Sequence, residues 1–503
     1  MSTRSYILGI DQSTQGTKAI LFDETGILIA RADRPHRQLI DARGYVEHDP
    51  EEIYRNTLSV ARDVLDKAGV EPGAVLGIGI SNQRETSLAW RPDGIPLCNA
   101  IVWQCGRAAQ ITETLAAEGQ GEFVRSHSGI PLSPFFPAGK LAWILRNVPE
   151  AQSLAENGTL RLGTVDAYLV FRLTGGRVFR TDYSNASRTQ LFDIQRLQWD
   201  ETLCSLFGIP VAALPEVTDS DGDYGETDLE GLLPHPVPIR GVLGDSHAAL
   251  FGQGCLLPGM GKATYGTGSS VMVNVGHAPV FSTHGVVTSL AWSMGGQVDY
   301  VLEGNINYTG AVITWLKEDL GLIADPAETE TLAKAASPED QTYLVPAFTG
   351  LGAPYWDNEA RGMFVGLSRT TKRAELVRAA LDCIVYQITD ILRAMNEDMS
   401  VTGTPSIREL RADGGPTRNS YLMQFQSDMA RIPILVSRTE ELSAMGAAYA
   451  AGLAVGLYDR QLLFHQTKQQ TYMPEMPAEA ASLRYTCWQA AVACCLSHGR
   501  NGS

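Results

Sequence analysis

The chain has 503 residues, 44% of them hydrophobic, and a formal net charge of −16. That length is too great for one compact core, so two large lobes are expected. The negative balance argues against nucleic acid or an anionic membrane as the main partner, and no apolar run approaches the ~20 residues of a membrane span.

The first residues run into a strand without a secretory signal. None of the eight cysteines forms a Cys-x-x-Cys pair, which predicts free thiols and a reducing cytoplasm.

Tyr6–Ile10 and Ala19–Asp23 read as apolar strands joined by the polar stretch Asp11-Gln12-Ser13-Thr14-Gln15-Gly16-Thr17-Lys18. Its hydroxyls and backbone N–H groups suit a phosphate, and Lys18 adds charge. It is not a Walker A loop, because Gly-Lys-Ser/Thr before a helix is missing. An ordinary polar hairpin is the plain structural alternative. Asp11, at the end of the first strand, makes this loop resemble the first phosphate loop of the actin-like ATPases.

Residues 51–68 carry apolar side chains at helical spacing. Strand Val75–Ile80 then delivers Arg84-Glu85, which offers donors and an acceptor for substrate hydroxyls; a surface ion pair is the alternative. Trp103, in the apolar segment Ala100–Gln104, suits the C–H face of a polyol, although a core tryptophan is the commoner fate. Asp245 follows strand Val237–Val242 and precedes a helix opening at Ala248. A carboxylate there can take a proton from a hydroxyl or hold a Mg²⁺ water, or it can merely cap the helix.

Lys262–Tyr265, Gly266–Ser270 and Val271–Asn274 repeat the strand–polar loop–strand scheme. Gly266-Thr267-Gly268 lacks the third glycine of a dinucleotide fingerprint, which disfavours a nicotinamide dehydrogenase. Two such hairpins, one per lobe, would grip a nucleotide's phosphates from both sides. Later, strand Ile407–Ala412, turn Asp413–Asn419 and helix Ser420–Ala430 form a glycine-containing site that lets an adenosine approach the backbone. A ligand-free turn explains those glycines but not Asn419. The small-residue helix Leu442–Leu453 reads as structural, and the tail from His465 carries no nameable chemistry.

Taken together, Asp11–Thr14, Asn82–Thr86, Ile101–Cys105 and Gly244-Asp245 resemble the FGGY carbohydrate kinases, nearest to their glycerol-specific branch. Residues 135–144 fit the family's first signature. Gly362–Leu367, Glu375-Leu376 and Ala379–Asp382 fit its second. Residues 181–189 and 345–356 add long matches, and the likeness spans about residues 5 to 460.

The resemblance implies an α/β protein of two ribonuclease-H-like lobes, as in the actin-like ATPases, with the active-site cleft between them. The lobes are expected at 1–250, for the acceptor, and 251–503, for the nucleotide. The implied activity is transfer of the γ-phosphoryl group of ATP to a hydroxyl of glycerol or a similar small polyol or ketose, with Mg²⁺. Asp245 is the implied base, with Asp11 and Asp245 holding the metal through water. Thr14, Gln15, Lys18, Thr267 and Gly268 are implied at the phosphates. Gly310, Thr314, Gly415, Pro416 and Asn419 are implied beside the rest of the nucleotide.

Arg84, Glu85, Trp103 and Asp245 keep the glycerol pocket of the family. Phe135 stands where that branch has tyrosine, Ser246 where it has glutamine, and Ser270 where it has phenylalanine. These departures suit a longer acceptor, such as a tetritol, pentitol or ketopentose. Family members of this length are often homo-oligomers. Two readings of other classes are an actin-like ATPase without a sugar acceptor and a catalytically silent sugar sensor. The first leaves Arg84-Glu85, Trp103 and the signatures without a role, and the second does the same for Asp11 and Asp245.

Overall fold

The computed structural model describes residues 4–437, 439, 441–465 and 469–500. Two sheets organise it. In the first, strands Tyr6–Gln12 and Gly16–Phe22 form an antiparallel hairpin that closes at Gln12 opposite Thr17. Tyr6–Gln12 also runs parallel to Val75–Asn82, which runs parallel to Val237–Gly244. Leu28–Pro35 and Glu226–Thr227 complete six strands. The central strand Tyr6–Gln12 is buried throughout, as its unbroken apolar run demands of a strand covered on both faces.

The second sheet repeats the scheme. Met260–Tyr265 and Ser269–Gly276 form the hairpin, and Met260–Tyr265 runs parallel to Glu409–Asp413, then Ile434–Ser437. Gln297–Ile306, Val287–Met294 and Gln469–Tyr472 complete seven strands. This doubled α/β architecture is the two-lobed arrangement expected from the sequence. A smaller five-stranded sheet, which includes Ser87–Trp90 and Ala100–Ile101, adjoins the segment bearing Trp103.

Helix Pro50–Ala68 starts where the Asp49 side chain accepts the Glu51 N–H at 2.9 Å and stops at Gly69, whose φ is 61°. Its face of Ile53, Val60, Ala61, Val64 and Leu65 is buried with the strands of the first sheet. Helix Arg373–Thr402 is mostly buried and fills the second lobe's core, a role that its short signature motif does not reveal. The closing helix Ala478–Arg500 docks on it. Tyr485 Oη and Trp488 Nε1 donate to the Asp390 carboxylate at 2.6 and 2.9 Å.

Helix Leu442–Ala454 does not stay with the second sheet. It packs on Tyr6–Gln12, Val75–Asn82 and Val237–Gly244 of the first, and on helix Asp245–Gly252. Its small residues exist for this contact. A Cβ on Gly446 would lie 1.8 Å from the Ala248 carbonyl oxygen, and one on Gly79 2.2 Å from that of Ala447.

Candidate active site

The first sheet delivers Asp245 at the end of strand Val237–Gly244, as the first residue of its helix. Gly244, not Asp245, is the capping residue, so the helix-cap alternative fails. The Asp245 side chain is 35% exposed, open to the cleft, with Oδ1 3.3 Å from Arg84 Nε. Oδ1 also accepts the Ser246 N–H at 2.6 Å.

Arg84 and Glu85 are buried, which removes the surface-pair alternative. Nor are they chiefly each other's partners, standing 3.9 Å apart. Arg84 instead donates two parallel bonds to Glu303, each 2.8 Å, while Arg188 donates to Glu85 at 2.7 Å. Arg188 Nη1 lies 2.9 Å from Glu303. Burial opposes the charge on Glu303, but Arg188 and Arg84 hold its carboxyl well below the usual range. Burial likewise opposes the charge on Arg84, and Glu303 and Glu85 more than offset it. Two cations and two anions cancel inside the protein, leaving Asp245 at the open edge. Glu85 is further held at φ 62°, a conformation that a non-glycine residue keeps only where its surroundings impose it.

Sequence reasoning does not assign Arg188 or Glu303 to the site, although Arg188 lies in the long match over residues 181–189. The signal was a charged residue inside a small-polar run and another inside an apolar strand.

A cleft of about 790 Å³ gathers the expected acceptor residues Arg84, Glu85, Trp103, Phe135, Asp245, Ser246 and Ser270. Trp103 is half-buried, so it is neither a core tryptophan nor a free one. Its Nε1 donates to Thr14 Oγ1 at 2.9 Å, and its ring lies 5.3 Å from that of Phe135. The Ser270 hydroxyl is buried with no partner among the described residues.

Asp11, Thr14, Lys18, Thr267 and Gly268 line the same cleft. Both hairpin turns thus reach it from opposite sheets. The amide N–H groups of Thr14, Gln15, Thr267 and Gly268 meet no acceptor among the described residues, as an anion cradle requires. Gln15 sits exposed at its turn, outside the lining of this cleft. Lys18 is held at 2.7 Å by Glu441, which Arg31 also contacts. Lys262 lines the cleft too and was read in the sequence only as part of a strand.

Burial pushes the Asp11 carboxyl up to about 6, against the pull of the Ser81 hydroxyl at 2.5 Å and of Lys18; Asp245 and Glu441 add to the rise. The described residues contain no cluster of three or more His, Cys, Asp or Glu able to cage a metal. Asp11 and Asp245 at one cleft are nonetheless the oxygen donors that suit Mg²⁺, a cation that keeps several waters and leans on substrate phosphates.

A second cavity, of about 480 Å³, holds Gly310, Thr314, Gly415, Pro416 and Asn419 together. Gly310 joins it to the first cleft, since its N–H donates to the Gly266 carbonyl at 2.9 Å. Ile313, Leu381, Ile384 and Leu422 add apolar walls. A Cβ built on Gly415 meets nothing within 4 Å, so the cradle has room. The sequence reading needs one correction here. Asn419 caps helix Ser420–Ala430 by accepting the Leu422 N–H at 3.1 Å, and donates to Thr329 at 3.1 Å. A ligand-free turn therefore does account for Asn419.

Comparison with known proteins agrees with the two-lobed fold. The family model for the N-terminal domain of the FGGY family of carbohydrate kinases matches residues 6–252, and that for the C-terminal domain matches 261–455. Glycerol kinase 1 of Thermotoga maritima is 46% identical over 490 residues, covering 97% of this chain and 99% of the relative. Glycerol kinase of Symbiobacterium thermophilum is 45% identical over 492 residues, covering 97% and 98%. Among solved structures, Plasmodium falciparum glycerol kinase with ADP superposes with a TM-score of 0.92 at 34% identity, covering 98% of each chain. A ligand-bound xylulose kinase from Lactobacillus acidophilus, with a TM-score of 0.87 at 22% identity over 99% of each chain, shares the fold.

Proposed function

Because the chain belongs to the FGGY family of carbohydrate kinases, and is thus an ATP-dependent phosphotransferase with an alcohol acceptor, we propose that its acceptor is glycerol and its base Asp245. The observation that carries this reading is the Asp245 carboxylate, open to a cleft where both hairpin turns, Trp103 and the Arg84–Glu303 pair converge. The lobe of residues 1–250 would bind the acceptor and that of 251–503 the nucleotide. Helix Asp245–Gly252 and helix Leu442–Ala454 join them.

The acceptor lies between Trp103 and Asp245, its hydroxyls bonded by Arg84 and Glu85. Asp245 orients the reacting hydroxyl and takes its proton, while Thr14, Thr267 and Gly268 hold the β- and γ-phosphates. Gly310, Thr314, Gly415, Pro416 and Asn419 border the nucleoside. Asp11 and Asp245 would hold Mg²⁺ through water, and the cation would supply neutralisation of phosphate charge there. The absence of disulfides among the eight cysteines, all of them described residues, supports a reducing, cytoplasmic setting, and no described helix is long and apolar enough to cross a membrane.

The likeness to glycerol kinases favours glycerol over the longer acceptors suggested by Phe135, Ser246 and Ser270. The partnerless Ser270 hydroxyl is the observation on the other side. Coupled ADP release across glycerol, erythritol, threitol, the pentitols, xylulose, ribulose and a blank decides between them. Glycerol should give the highest kcat/KM. A four- or five-carbon winner would reassign the acceptor, and equal release in the blank would defeat the kinase reading.

Two further results are expected. Phe135→Tyr adds a hydroxyl to the acceptor wall and should lower the KM for glycerol roughly two- to tenfold, the worth of about 0.5–1.5 kcal/mol. An unchanged KM would place Phe135 away from the acceptor's hydroxyls. The second concerns pH. Asp11 acts ionised, and its carboxyl is pushed up to about 6, so kcat/KM for ATP should fall as pH drops through that value. The raised value also means that ionising Asp11 costs folding stability as pH rises from 3.8 to about 6. A kcat/KM profile flat down to pH 5 would release Asp11 from this role.

A further inference from the structure

We propose that Lys262 is a catalytic residue whose ammonium binds an oxygen of the γ-phosphoryl group during transfer, an inference that rests on the kinase reading above. Lys262 is 1% exposed, yet it lines the cleft shared by Asp245 and the Gly266–Gly268 turn. On strand Met260–Tyr265, Lys262 and Thr264 share one face, and the turn begins directly after that strand. Its Nζ donates to Thr264 Oγ1 at 3.0 Å. The Thr264 hydroxyl in turn donates to Asp413 at 2.9 Å, and Gln253 Nε2 donates to the same carboxylate oxygen at 3.1 Å. This chain of bonds fixes where the ammonium points.

An ammonium has three N–H donors. Among the described residues, Lys262 uses one of them and makes no ion pair. Lys18, the other lysine lining this cleft, is by contrast paired with Glu441 at 2.7 Å. A buried cation without a counterion is costly unless something else supplies the charge. Burial opposes the charge on Lys262 and outweighs the support that Asp413, Asp245 and Glu303 give from a distance, with Arg84 also opposing it, so the ammonium lacks a counterion at contact. A phosphate in the cradle of the Gly266–Gly268 turn supplies it at contact. Buried position, spare donors and a neighbouring anion cradle thus coincide at one side chain.

In the transfer, the bond from the γ-phosphorus to the β,γ-bridging oxygen breaks and its electron pair stays on ADP. A bond from the acceptor oxygen to phosphorus forms, and the acceptor's proton goes to Asp245. Lys262 keeps its own proton and balances charge on the moving phosphoryl oxygens, which is where fixed donors contribute most.

The test uses Lys262→Met, Lys262→Gln and Lys262→Arg in the full chain with glycerol, ATP and Mg²⁺. Lys262→Met should lower kcat by about 100-fold or more, with the KM for glycerol and the Kd for ADP within about threefold of wild type. ATP should lose its affinity advantage over ADP in the same variant. Lys262→Arg should recover part of kcat, because it restores the cation. A structural role would instead move ADP binding and thermal stability and leave the ATP-to-ADP ratio alone. Should Lys262→Met fail to fold, Lys262→Gln, whose amide can still bond Thr264, gives the same readings. A kcat within about fivefold of wild type in a folded Met or Gln variant, or an unchanged ATP-to-ADP ratio, overturns the proposal. A wild-type chain without acceptor-dependent ADP release defeats the kinase reading itself. Normal wild-type turnover beside an unaffected Lys262 variant defeats only this inference.

Discussion

Asp245→Asn should lower kcat roughly 10²–10⁴-fold while leaving ADP affinity within about a factor of three. The substitution keeps the side chain's size and its place at the start of helix Asp245–Gly252. An amide oxygen can still accept the Ser246 N–H that Asp245 accepts at 2.6 Å. What is lost is the negative charge facing Arg84 Nε at 3.3 Å and the capacity to take the acceptor's proton. The nucleoside cavity around Gly415 and Asn419 does not include residue 245, which is why ADP binding should survive. Single-turnover kinetics with ATP and glycerol, paired with ADP titration, measure both quantities. Near-normal turnover would remove Asp245 from the chemistry. A parallel loss of ADP binding would make the effect one of folding.

Glu303→Gln should destabilise the fold by about 3–5 kcal/mol, the usual cost of breaking one side of a buried ion pair. Glu303 is wholly buried and joins Arg84 through two bonds of 2.8 Å, with Arg188 at 2.9 Å. Neutralising it leaves two buried guanidinium groups against Glu85 and the half-exposed Asp245. Both arginines belong to the first half of the chain, while Glu303 lies on strand Gln297–Ile306 of the second sheet, so the loss falls on the join between the lobes. Urea unfolding by fluorescence and by far-UV circular dichroism should show a lower midpoint, and the two probes should separate if the lobes uncouple. Arg84, released from Glu303, is also freed toward Asp245, so turnover should fall with stability. Stability within about 1 kcal/mol of wild type would show that Glu303 is not what offsets the two arginines.

Much of the site was legible in the chain. The two strand–loop–strand hairpins, Asp11 and Asp245 at strand ends, and the glycines of Asp413–Asn419 are local patterns of a few residues. Unbroken apolar runs and turn chemistry write these directly into sequence. Each stands in the structure at the element that was read. The pairings were not legible. Arg84 and Glu85 look like partners because they are adjacent, but Arg84 takes Glu303, 219 positions away, and Glu85 takes Arg188, 103 positions away. Asn419 was credited to a ligand because its helix-capping bond was not considered.

The sequence by itself therefore determined the fold class, the family and the two phosphate hairpins, because each depends on short-range periodicity and on motifs kept in order. Tertiary structure alone decided which charges cancel in the buried network. It also decided that helix Leu442–Ala454 crosses to the first sheet, with Gly446 seated against the Ala248 carbonyl, and that Lys262 lies in the cleft with donors to spare. Those outcomes depend on which groups are buried together, and a buried charge takes whichever partner the packing brings within reach, regardless of distance along the chain.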